Sequence, residues 1–287
     1  MYTFSTRLRT ASLILMVLGV LGLGYGFLTA PSTIEEVKAL EAAAHGDGHG
    51  EVAHAGTHDK ATADTHSEEE QMAHYKHALN SYKNKPWAAL YTAAFFFMMI
   101  ALGVLAFYAI QRAAQAGWSP VLFRVMEGIT AYLLPGALIL VVIFVLSGMH
   151  LNHLFVWMDS EVVANDKLLQ GKAGYLSLPF FLIRALFYIG GWVAYRHFSR
   201  KFSLAQDTAE DNSNFKKNFR ISAAFLVFYL VTESMMSWDW IMSIDPHWFS
   251  TLFGWYVFAS MFVSGITVIA MITIYLKSKG YLEHVND

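Results

Sequence analysis

The chain contains no cysteine. That absence excludes disulfides, thiolate-ligated iron–sulfur clusters, CxxCH attachment of haem and thiol catalysis, so an electron carrier must sit on another chain or be held without cysteine. Charge is scarce as well: Asp, Glu, Lys and Arg make up 15% of the 287 residues, and Lys+Arg 20 against Asp+Glu 22 leaves no basic field for a polyanion. Nucleic-acid binding is thereby excluded. No series of alternating ten-residue segments marks a membrane β-barrel. What the chain has in quantity is apolar surface, 55% hydrophobic and 15% aromatic, the composition of a polytopic membrane protein.

Apolar runs of the ~20 residues needed to cross ~30 Å of hydrocarbon lie at 11–30, 88–110, 129–149, 175–196, 221–241 and 254–276. Unpaired backbone groups are too costly in lipid for anything but helices or closed barrels. The expected fold is therefore an all-α membrane protein of six spanning helices. The first run follows Arg7 and Arg9 as a signal peptide would, but its length and the exit "LTAPS", which lacks a small-x-small cleavage site, favour a retained anchor. Within it Gly22 and Gly26 form a GxxxG, a packing accommodation. The chain divides into 1–30 (N-terminus and first span), 31–87 (a long external loop), 88–276 (a five-helix membrane region) and 277–287 (a tail).

Basic residues set direction. Arg7 and Arg9, then Arg112 and Arg124, then Arg196, Arg200, Lys201, Lys216, Lys217 and Arg220, then Lys277 and Lys279 all fall on one side of the expected spans. The opposite short connections hold Lys167 and Lys172. Both termini are expected in the cytoplasm of a bacterial cell, with the 31–87 loop outside. That loop carries His45, His49, His54, His58, His66, His74 and His77. Imidazole and carboxylate suit zinc and similar ions, but irregular spacing and high polarity favour a solvated, partly disordered segment, and no metal site is assigned.

Ionisable residues inside spans cost at least about 2.5 kcal/mol each on insertion scales and are functional candidates by default. Arg184 and Glu233 both fall about 12 to 14 Å beneath the outer surface at 1.5 Å per residue, so an Arg184–Glu233 pair is expected, as a structural salt bridge or as part of a proton relay. At the end of the third span, "SGMHLNHLFVWMD" places His150 and His153 three apart on one helix face, where they either bond a ligand or cap the helix end. With no further interior histidine, a dihaem cytochrome is not expected. The stretch "SMMSWDWIMSIDPHWFSTLFGWY" at 234–256 holds Trp238, Trp240, Trp248 and Trp255, which read as a headgroup-level belt. Asp245 reads as a turn acid before Pro246. Asp239 lies one turn inside the boundary and asks for a partner. A quinol site would need such groups: hydrogen bonds to two oxygens, and a route for two protons.

"FLVFYLVTE" followed by "SMMSWDWIMSIDPHWFSTLFGWYVFASMF" resembles the membrane subunits of alternative complex III, the bacterial quinol:cytochrome c oxidoreductase. That complex has two such chains, similar to each other and to the polysulfide reductase NrfD/PsrC-type integral membrane subunit, and the likeness is to the one not mainly assigned quinol oxidation. The resemblance is specific over about 221–262 and looser at "SGMHLNHLFVWMD". It implies a cofactor-free protein with a four-helix-bundle core plus an N-terminal anchor, not catalytic alone. Its implied partners are the related membrane chain to which quinol oxidation is mainly assigned, periplasmic subunits carrying haem c and Fe–S clusters, membrane lipid and a terminal oxidase, with menaquinol as the substrate of the complex. Carried over as candidates for a proton path or quinol pocket are His150, Arg184, Glu233 and Asp239. The family usually has about ten spans, so a chain ending after its sixth is expected to be truncated relative to it or to have the remainder on a separate chain. Two other readings stay open: a metal or solute transporter with the histidine-rich segment as collector, and a purely structural anchor.

Overall fold

The computed structural model describes residues 5–46, 68–283 and 285. Most of those residues are helical, with no strand among them, and six helices are long and apolar enough to cross a membrane. The chain forms two compact units, one up to Leu90 and one from Tyr91 onward.

The first unit contains α1 (Thr6–Thr29), α2 (Ile34–Gly46) and the beginning of α3 (Glu68–Ala113). α1 is apolar on every side and buries no residue. The Ser5 side chain accepts from the Leu8 N–H at 3.3 Å and starts it. α2 opens on a reciprocal cap: the Thr33 hydroxyl accepts from the Glu36 N–H at 3.3 Å while the Glu36 carboxylate accepts from the Ser32 N–H at 2.6 Å. Within the segment 31–87, expected as a long loop, residues 34–46 and 68–87 are helical. Helix forms there because Ala, Glu, Lys and Gln are strong helix formers whatever their solubility. His49, His54, His58 and His66 fall outside the described residues. Among the described residues no group of three or more His, Asp or Glu could hold a metal ion.

In the second unit α3 is followed by α4 (Phe123–Ile129) and α5 (Leu133–Gly148), which a single 3-10 turn at 130–132 joins into one span. Two short helices, α6 (Ser160–Asn165) and α7 (Lys167–Lys172), lead to α8 (Leu178–Gln206), α9 (Ser213–Trp240) and α10 (Phe253–Ser278). Three helix ends in this unit close alike. After α3, α5 and α10 the residues Gln115, His150 and Gly280 take positive φ of 52°, 59° and 77°, and the next N–H returns to the carbonyl five residues back: Ala116 to Gln111, Leu151 to Leu146, Tyr281 to Leu276. This closure satisfies carbonyls that would otherwise be left bare where the helix meets the headgroups.

α3 and α10 touch through glycine. A methyl group on Gly103 would overlap the Met261 carbonyl, and one on Gly265 would lie 3.1 Å from the Val104 nitrogen. At the other end of the bundle an aromatic cluster forms around Trp240, which is fully buried. Its ring lies 5.4 Å from Phe144, 5.8 Å from Trp192, and 6.2 Å from both Phe95 and Tyr188. Of the four tryptophans expected to form a belt, Trp238, Trp248 and Trp255 are exposed, whereas Trp240 is a core residue. Its carbonyl, in the last turn of α9, accepts the Tyr91 hydroxyl at 2.5 Å.

Gly103→Ala is expected to cost about 1–3 kcal/mol by overpacking against backbone that cannot yield. Gly19→Ala, at a position with nothing within 4 Å, should not destabilise, and thermal unfolding of the purified chain in detergent distinguishes the two.

Candidate functional site: a polar seam between α8 and α9

On α8 the residues Arg184, Tyr188, Trp192, Tyr195, Ser199 and Ser203 follow one another at helical spacing, and all are buried. They lie on one face, and from first to last cover about 28 Å at 1.5 Å per residue, close to the full hydrocarbon thickness. α9 answers with Asn218, Ser222, Thr232 and Asp239, also buried.

At the acidic end, Arg184 Nε and Nη2 donate to the two oxygens of Asp239 at 2.8 and 2.9 Å. Such a two-point contact is the strongest geometry open to this pair. Arg184 Nη1 donates to the Tyr175 carbonyl at 3.0 Å, and the Tyr175 ring lies 3.8 Å over the guanidinium. Tyr188 adds its hydroxyl to Asp239 at 3.0 Å. Asp239 is 0% and Arg184 5% exposed, which makes this a fully desolvated pair.

The partner of Arg184 is therefore Asp239 and not Glu233, which corrects the pairing expected from depth. Tyr195 opposite Ser222 and Ser199 opposite Asn218 set a register that, carried outward, does put the backbone of Arg184 level with Glu233. Side chains, however, lean toward the N-terminus of their helix. Arg184 leans to the start of α8 and Glu233 toward the opposite membrane face. The two diverge, and Arg184 meets Asp239 nearly two turns further out.

Glu233 is 4% exposed, and its Oε1 has no hydrogen-bond partner. One residue before it, the Thr232 hydroxyl accepts from Trp192 Nε1 at 3.0 Å. One turn before it, Tyr229 donates to Met261 Sδ at 3.4 Å.

The basic end holds a second network that sequence reasoning missed. Glu127, 5% exposed, accepts from Arg124 Nη1 at 2.7 Å and from the Tyr108 hydroxyl at 3.1 Å. Arg112 Nε donates to Tyr108 at 3.0 Å and Nη2 to the Ser203 hydroxyl at 2.9 Å. Arg124 also pairs with Asp207, so two arginines and two acids balance. From Tyr108 the chain of bonds continues through Ser199 (3.3 Å), Asn218 (2.6 Å) and Ser222 (3.5 Å) to Tyr195 (2.8 Å). There the stacked rings of Tyr195 and Phe225, 3.9 Å apart, interrupt it. Glu127 lies two residues outside the apolar window that begins at 129, and Arg112 and Arg124 read as flanking charge. The spacing of polar residues on α8 was the available signal.

His150 is not brought to the seam. It is exposed and occupies the left-handed position that closes α5, so it does not share a helix face with His153. Its role is to end a helix. The stretch after it is held by Asn152, whose Oδ1 accepts from Ser147 Oγ at 2.6 Å and from the Leu154 N–H at 3.3 Å.

Beyond the Arg184–Asp239 pair the connections at the acidic end are tied together. His247 Nε2 meets Asp166 at 2.5 Å, and Lys172 Nζ donates to the Pro246 carbonyl at 2.5 Å. Desolvation raises the Asp166 carboxyl, but the Leu169 N–H, His247 and the Leu168 N–H outweigh it and hold the group below the usual carboxylate range. Asp245 accepts from the His247 N–H at 3.3 Å, as a turn acid does.

Comparison of the chain with protein-family models and with curated proteins gives no match. The chemistry of the seam therefore rests on its own residues.

Asp239→Asn leaves Arg184 buried beside a neutral group and is expected to destabilise the chain by about 3–5 kcal/mol, while replacing both partners with apolar residues restores much of that loss. A double-mutant cycle in detergent unfolding measures it. At the Asp166–His247 tie, the depressed Asp166 group contributes stability that is present above the unfolded value of about 3.9 and lost as pH falls through the folded value. Amide exchange over 242–249 should therefore accelerate in strong acid, and Asp166→Asn should accelerate it at neutral pH.

Proposed function

We propose that the chain is an integral membrane component of a respiratory quinol:acceptor oxidoreductase of the alternative complex III type, and that its seam carries protons. The observation behind this reading is Glu233: a carboxyl buried at mid-membrane with an unpartnered oxygen, set between two charge-balanced networks. Burying an unpaired carboxylate is expensive, whereas its protonated form is far cheaper to bury. Among the described residues this makes Glu233 the buried acid whose environment responds most to gaining or losing a proton. Asp239 and Glu127 already have cationic partners and fit a structural role.

In this reading the basic end faces the cytoplasm of a bacterial cell, as do both termini, by the distribution of Lys and Arg. The hydrogen-bonded chain from Tyr108 through Ser199, Asn218 and Ser222 leads inward from that side as far as Tyr195. A proton bound for Glu233 must cross the break at the Tyr195–Phe225 stack, and Tyr188 and Asp239 lie on the route to the periplasm. The lack of cysteine puts haem c and iron–sulfur centres on other chains of the assembly, with menaquinol as its substrate. The resemblance of 221–262 to a membrane chain of that complex supports the same assignment, and its related membrane chain is the expected neighbour.

Glu233→Gln keeps shape and removes the exchangeable proton. In the intact complex it is expected to lower proton release coupled to quinol oxidation by at least about tenfold without loss of chain stability. Unchanged quinol oxidation together with unchanged proton release would leave Glu233 a packing residue and the chain a structural anchor.

A further inference from the structure

A groove of about 480 Å³ runs along the outside of the α8–α9 pair, lined by Gly191, Ala194, Phe198 and Phe202 on one helix and Ala224 and Phe228 on the other. Its depth comes from Gly191, since a methyl group there would overlap the Phe228 ring. From Gly191 to Phe202 it extends about 16 Å at 1.5 Å per residue, roughly half of the ~30 Å hydrocarbon layer. That is the reach of one leaflet's acyl chains. The groove opens at the basic end.

Charge at that opening is lopsided. Lys217 Nζ lies 5.9 Å from the centre of the Phe202 ring that forms the groove's lip. Arg220 precedes Ala224 by one turn, Lys201 follows Phe198 by one turn, and all three cations are exposed. The arginines of the neighbouring network, Arg112 and Arg124, have carboxylate partners. Lys201, Lys217 and Arg220, among the described residues, form no ion pair. Of the acids in the turn between α8 and α9, Asp207 is taken by Arg124. Glu210 and Asp211 remain, and Asp211 is held below its usual range first by the Ser213 hydroxyl and amide and then by Lys217 and Lys216; these two carboxylates against Lys201, Lys216, Lys217 and Arg220 leave an excess of positive charge.

We propose that this groove is a binding site for an anionic phospholipid, its acyl chain lying between Gly191 and Phe202 and its phosphate held by Lys217 with Arg220 and Lys201. An apolar slot one leaflet deep that ends in an excess of cations matches the two halves of such a molecule. Lys217 already lies along the aromatic wall, which places its ammonium where a headgroup phosphate would sit. Basic residues near an anionic headgroup each contribute about 1 kcal/mol, so recognition depends on the cluster. Lipid binding here needs only the membrane-spanning fold and is independent of proton transfer along the seam.

The test uses the full chain purified in detergent, incubated separately with phosphatidylglycerol and phosphatidylcholine, with retained lipid counted by native mass spectrometry. Phosphatidylglycerol should be retained in preference. Lys217→Gln should weaken its retention about fivefold and leave phosphatidylcholine unchanged. Ala194→Trp, at an exposed position on the groove floor, should weaken retention of both by filling the slot. Equal retention of the two lipids overturns headgroup recognition, and undiminished retention by Ala194→Trp overturns the groove as the site. Retention of neither lipid by the unmodified chain also overturns the proposal and points to a helix of another protein as the occupant.

Discussion

Inside a bilayer no water competes for a buried charge, so every such charge must find its counter-charge within the protein. The Arg184–Asp239 contact is where this constraint bears hardest. Asp239 lies one residue from the end of α9, where the helix dipole disfavours an anion, and it is fully enclosed. Arg184 offsets both costs. By gripping the two carboxylate oxygens it ties α8 to α9, and through the Tyr175 carbonyl it ties in the approach to α8 as well. Trp240, next in sequence, is thereby aimed into the bundle, where it organises rings from α3, α5 and α8.

The same constraint explains why the charges come in balanced sets. At the basic end Arg112 and Arg124 neutralise Glu127 and Asp207; at the other end one arginine neutralises one aspartate. Hydroxyls of Tyr108, Ser199, Ser222 and Tyr195 carry polarity inward between them. Glu233 stands outside this accounting. It belongs to neither set, which separates it chemically from acids that merely hold helices together.

Much of this arrangement was legible in the residues and some was not, for definite reasons. The six spans were visible because about twenty apolar residues in a row have one common explanation in water and lipid. Arg184, Glu233 and Asp239 were visible because charge is conspicuous against that background. Their pairing was misread, since depth along the axis locates a Cα atom but not the direction in which a long side chain leans. Glu127 was missed because its helix begins before the apolar window does. His150 was misplaced for the opposite reason: α5 stops at Gly148, two residues short of it. Polar composition over 31–87 concealed helices, because helix propensity and hydrophobicity are different properties of Ala, Glu and Lys.

By itself the sequence determined the class of protein, the number of spans, the asymmetry of basic charge and the identities of the ionisable residues within the membrane. These depend on transfer free energies that each residue carries with it wherever it is placed. The tertiary structure alone decided that Asp239 and not Glu233 neutralises Arg184, that Trp240 is core and not belt, and that Glu127 joins a network reaching from α3 to α9. Those outcomes depend on crossing geometry and side-chain direction between segments far apart in the chain. A few ångströms there choose which charge is satisfied and which carboxyl oxygen is left without a partner.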